Sequence, residues 1–69
     1  MANVALSIAQ YDTITKASAK LMALLLSMTG EGFETFENLN NSYQHDLLWI
    51  ASDLASEIEK ALKDGVRHG

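Results

Sequence analysis

The chain has no cysteine and no proline among its 69 residues. Lack of cysteine excludes disulfides, and its two histidines without cysteine partners do not make a structural zinc site, so no metal or cofactor is expected. Lack of proline lets helices run unbroken. The most apolar stretch, Leu21 to Met28, falls far short of the roughly 20 residues that cross a bilayer. The first residues carry no basic region of the kind that opens a secretory signal. A soluble, intracellular protein without a membrane partner is therefore expected, in keeping with the missing cysteine. Basic residues are scarce in one region above all. Between positions 31 and 59 there are seven acids (Glu31, Glu34, Glu37, Asp46, Asp53, Glu57, Glu59) and neither lysine nor arginine. That disfavours nucleic acid, whose phosphates need a basic surface, and favours a basic partner. The same acids also keep a small apolar protein in solution.

What is present is apolar. Hydrophobic residues make up 48% of the chain, ample for a fold. A single domain of this length seldom draws more than about 3 to 5 kcal/mol from one core, so self-association is the expected supplement.

In residues 3 to 11, Val4, Leu6 and Ile8 alternate, a strand-like signal or an extended arm, with Asp12, Thr13 or Thr15 capping the helix that follows. From 13 to 28, Ile14, Ala17, Leu21, Leu24 and Met28 keep three- and four-residue spacing, which predicts helix one. Met22, Leu25 and Leu26 widen its apolar arc to roughly 200°, more than one neighbour covers. A second copy of the chain is the simplest further contact.

Gly30 and Gly32 close that helix. In the loop 29 to 41, Phe33, Phe36 and Leu39 recur every third residue, as in one short turn of helix that lays both rings over the end of the domain. Asn40, Asn41 or Ser42 caps helix two, and Asn41 with Gln44 resembles a capping box. Helix two is expected over 42 to 63, with Gly65 as its stop and residues 65 to 69 as a frayed tail. The architecture predicted is an all-α, two-helix antiparallel hairpin with a short N-terminal arm, pairing into a homodimeric four-helix bundle.

Advancing about 100° per residue, helix two gathers Leu47, Ala51, Leu54, Ile58, Ala61 and Leu62 on one stripe. Core and dimer contacts are thus expected from Ile14, Ala17, Leu21, Leu24, Leu25 and Met28 with Leu47, Leu54 and Ile58. Trp49, the sole tryptophan, falls opposite that stripe. Its helical neighbours His45, Ser52, Asp53 and Ser56 are all polar. A large ring set among acids has the composition of a binding hot spot, with Asp46, Asp53 and Glu57 to meet basic groups and Tyr43 and Ile50 at the edge. Catalysis is not expected: His45 and Asp46 diverge by about 100°, and there is no phosphate loop or metal-spaced cluster.

The run from Tyr43 to the Trp49-Ile50 pair, within Leu-Leu-Trp-Ile-Ala-Ser-Asp-Leu, resembles the small anti-quorum-sensing proteins encoded by temperate phages of Pseudomonas. The chain is more loosely similar to short α-hairpin proteins of pseudomonads. The resemblance implies a dimeric inhibitor made early in phage infection and acting in the cytoplasm of the bacterial host. Its implied targets are a LuxR-type quorum-sensing transcription regulator and the ATPase that assembles type IV pili. Tyr43, Trp49 and Ile50 would be the contact residues. The competing expectation is a structural or assembly bundle without a regulatory target, in which Trp49 would be buried between subunits.

Overall fold

A computed structural model describes residues 6 to 66. Among these residues every regular element is helical: α1 (Ile8–Met28), a 3-10 turn (Gly30–Gly32), α2 (Phe33–Glu37) and α3 (Asn41–Val66).

Helix α1 starts five residues before the expected position, at Ile8 instead of 13. Ser7 Oγ accepts from the Gln10 backbone N–H at 3.0 Å, and Gln10 Oε1 accepts from the Ser7 N–H at 2.9 Å. This reciprocal capping box satisfies two donors that a helix start leaves orphaned, and it overrides the short apolar alternation. Residues 8 to 11 are therefore helix and not an extended arm; positions 3 to 5 lie outside the described residues. Asp12, Thr13 and Thr15, expected as caps, are all inside the helix, and Asp12 pairs with Lys16 at 3.0 Å.

At the other end of α1, Ser27 Oγ donates to the Leu24 carbonyl at 2.6 Å and Thr29 Oγ1 to the Leu25 carbonyl at 2.7 Å, serving acceptors of the last turn. Gly30 then takes φ 58°, the left-handed conformation that glycine adopts without steric penalty. A Cβ on Gly32 would collide with the Ser27 carbonyl oxygen, so the chain folds back against α1 only because this residue has no side chain.

The region 29 to 41 thus carries a tight turn and a third helix. Gln44 Nε2 donates to the carbonyls of Phe36 (3.0 Å) and Glu37 (3.2 Å), tying the end of α2 to α3. With Gln44 so engaged, the capping box expected with Asn41 does not form. Asn40 is the cap, its Oδ1 accepting from the Tyr43 N–H at 2.9 Å. Gly65 does not stop α3, which continues to Val66; the rest of the expected frayed tail, 67 to 69, lies outside the described residues. Among the described residues only Gly30 has positive φ, the conformation through which a glycine would have ended the helix.

α1 packs along α3 with the first turns of α1 beside the last turns of α3. Ala17 (2% exposed), Met28 and Ala61 are buried. Ile14, Leu21 and Leu24 on α1 and Leu47, Leu54 and Ile58 on α3 are half-buried, on the faces the two helices turn toward each other. Two helices cover only one stripe of each other, so the core is thin. Leu25 and Leu62 lie off the seam and are exposed. Phe36 and Leu39 are half-buried, whereas Phe33 is 51% exposed and does not plug the end as expected. A helix of five residues has one inner face, and Phe36 takes it with Leu39 beyond it. No helix among the described residues is long and apolar enough to cross a membrane.

Candidate partner-binding surface

Tyr43, Asp46, Ile50, Asp53 and Glu57 are separated by three, four, three and four residues, so α3 gathers them on a single stripe beside its buried seam. All five side chains are exposed. From Tyr43 to Glu57 the stripe is about 21 Å long at 1.5 Å per residue. Trp49 stands behind it, on the side of α3 turned away from α1, one turn from both Asp46 and Asp53. Its ring is 66% exposed; Tyr43 is 58% and Ile50 48% exposed. Sequence periodicity puts Asp46, Trp49, Asp53 and Glu57 on the polar face with Tyr43 and Ile50 at its edge; the three- and four-residue steps set five of the six in one line with the indole alongside.

Asp46, Asp53 and Glu57 form no ion pair among the described residues; the bases on their flank are Lys20 of α1, in heptad register with Thr13, and Lys60. The ion pairs among the described residues are Asp12–Lys16 at 3.0 Å and Glu59–Lys63 at 2.8 Å, and neither involves Asp46, Asp53 or Glu57. Glu59 is held below the usual carboxylate range by the hydrogen bond from Lys63 and by its charge, and Lys63 is raised reciprocally. Those charges lie outside the stripe. Lys60 is its first base, one turn beyond Glu57.

Two concavities flank this region. A shallow notch of about 200 Å³ is lined by His45, Leu48 and Trp49. At the far end of the stripe, an open cleft of about 220 Å³ separates α1 from α3, with Ala9, Thr13 and Ala61 between the charged side chains of Glu57, Lys60 and Asp64. Sequence reading missed the cleft, because its small floor residues come from opposite ends of the chain. Among the described residues, no three His, Asp or Glu side chains gather where they could hold a metal ion.

Of the residues expected in the core, Ile14, Ala17, Leu21, Leu24, Met28, Leu47, Leu54 and Ile58 sit on the α1–α3 seam and Leu25 sits outside it. Exposed apolar residues that sequence reading did not assign to a surface include Ile8, Tyr11 and Leu48. The spacing of Ile8, Tyr11, Met22 and Leu25 was the available signal. Comparison of the chain with protein-family models, with curated proteins and with solved structures gives no match.

Proposed function

We propose that this chain is a non-enzymatic inhibitor encoded by a phage, which works as a homodimeric antiparallel hairpin in the cytoplasm of the bacterial host. Its targets are a LuxR-type quorum-sensing transcription regulator, engaged at the DNA-binding domain, and the type IV pilus assembly ATPase. The observation that carries the reading is the exposed Trp49 ring beside an acidic stripe with Tyr43 and Ile50 on its edge. A DNA-binding domain displays lysines and arginines for phosphate, and carboxylates without ion pairs address those same groups. Asp46, Asp53 and Glu57 steer and align the encounter, while the indole supplies desolvated contact area, the usual division between charge and anchor in an interface. Occupying the basic surface excludes DNA from it.

The test is binding of the purified protein to the isolated DNA-binding domain of a LuxR-type regulator, by calorimetry and by competition with operator DNA. Trp49→Ala is expected to weaken binding by at least about 2 kcal/mol, some thirtyfold, while the thermal midpoint stays close to that of the parent. Wild-type protein that leaves operator binding untouched would refute the regulator as target. A large fall in the midpoint of Trp49→Ala would favour the assembly role, with the ring buried between subunits.

A further inference from the structure

The α1–α3 pair has a second flank, which the acidic stripe does not use. On α1, Ile8, Tyr11, Thr15, Ser18, Met22 and Leu25 follow one another at alternating three- and four-residue steps, a complete heptad seam separate from the one packed on α3. All six side chains are exposed, Ile8 by 90% and Tyr11 by 65%. None is ionisable at neutral pH. The cleft beside Glu57 joins Ala9 and Thr13 of α1 to Lys60 and Asp64 of α3, which fixes the opposite flanks as neighbours on the other side. There α3 adds Leu48, Ala55 and Leu62, seven residues apart and likewise exposed.

We infer that this uncharged flank is the seat of a second copy of the chain, with α1 crossing its own counterpart antiparallel at Ser18 and Ala19. The inference rests on the self-association in the proposed function and specifies where it occurs. A two-fold interface must be self-complementary: if residue i meets j, then j meets i. Antiparallel pairing about the midpoint of Ser18 and Ala19 does this, setting Met22 against the smaller Thr15 and Tyr11 against Leu25 and Leu26. The small pair at the centre lets the backbones approach, and the large residues lie toward the ends. This point is also the middle of α1, so nearly the whole helix is in register with its copy.

Size and charge agree with that occupant. With Leu26, which borders the α1 seam one residue after Leu25, the flank has seven large apolar side chains, each 40 to 90% exposed. Their combined exposed area is comparable to the ~800 Å² that each partner of a standard interface buries, and it is the most that this flank could contribute. The Asp12–Lys16 and Glu59–Lys63 pairs lie at its two edges, one on each helix, a polar rim whose charges are already matched within the chain. A charged partner finds nothing to read on this flank, whereas a second copy does. The acidic stripe stays open on both protomers.

Because the chain has no cysteine, single-thiol variants report contacts cleanly. Ser18→Cys and Trp49→Cys are treated separately with a short thiol-to-thiol crosslinker at micromolar concentration, and the mass of the untreated protein is read by light scattering. The expected result is a dimer by mass that becomes mostly covalent through Ser18→Cys and stays uncrosslinked through Trp49→Cys. Met22→Glu should halve the mass with helicity measured by circular dichroism alongside it, and an unfolded Met22→Glu leaves the Ser18→Cys result as the deciding one. A dimer that crosslinks through Trp49→Cys, or equally at both positions, would overturn this assignment of the interface while leaving self-association standing. A monomeric mass would overturn both.

Discussion

The two exposed flanks of the α1–α3 pair both carry large apolar side chains and differ in charge. One, with Tyr11, Met22 and Leu48, carries no charge at neutral pH along the α1 seam; the other sets Tyr43 and Ile50 among Asp46, Asp53 and Glu57. Apolar area gives contact with little discrimination, and charge decides which surface can lie opposite. A neutral, self-complementary flank suits an identical neighbour, because no like charges are brought together by the two-fold. An acidic flank cannot meet its own copy without repulsion, and so suits a basic protein. The same helix α3 contributes to both because its seam with α1 leaves two edges free.

The contrast can be tested most severely by removing what holds both flanks in place. Leu21→Asp puts an unpaired charge into the α1–α3 seam, and loss of most helicity at 25 °C is expected by circular dichroism. A variant that stays helical and dimeric would mean that the seam does not organise the two flanks. Neutralising only the acidic side, with Asp46→Asn, Asp53→Asn and Glu57→Gln together, should lower affinity for a basic DNA-binding domain about tenfold at low salt, or about 1.4 kcal/mol. The salt dependence of binding should flatten, while mass and thermal midpoint hold. Unchanged binding would remove charge from the account of recognition and leave Trp49.

Asn40→Ala is a smaller perturbation, about 1 kcal/mol, because it deletes the cap that accepts from the Tyr43 N–H. Fraying the first turn of α3 displaces Tyr43 at one end of the stripe, so a modest loss of binding without change in mass is expected by calorimetry and light scattering. The smallest effect belongs to the rim. Glu59, held low by Lys63, contributes above its unfolded-state value, and that contribution is lost as pH falls through the lower folded value. Lys63, held high, contributes below its unfolded-state value and loses it as pH rises through the higher folded value. The pair therefore acts on a plateau between acid and strong alkali. Glu59→Gln should flatten that dependence in thermal melts at several pH values, with a neutral-pH change near the error of the melt, as befits two fully exposed groups.

How far the sequence could be read varied with the range of the interactions involved. The seam positions Ile14, Ala17, Leu21, Leu24 and Met28 were legible, because helical periodicity is written in neighbouring residues. So was the excess represented by Met22, Leu25 and Leu26, and the outward direction of Trp49. The start of α1 is not legible in the pattern of apolar residues: Val4, Leu6 and Ile8 imitate a strand, and the Ser7–Gln10 box that decides the matter is only two side chains. Gln44 has the spacing of a local cap partner, yet its amide serves carbonyls of α2 eight and seven residues away. Phe33 and Phe36 look alike in sequence, and only the placement of α2 across the end of the pair separates an exposed ring from a half-buried one.

By itself the sequence determined that the chain is helical, where its main apolar stripes run, and that its acids are segregated from its bases, since each of these follows from residue type and a fixed advance of about 100° per residue. Which exposed edges of the two helices lie side by side was decided by the tertiary structure, because that depends on how α3 returns along α1 and not on the periodicity of either helix alone. Ala17 and Ala61 are buried between the helices, and Gly32 lies so close to the Ser27 carbonyl that only a residue without a side chain lets the chain turn back there.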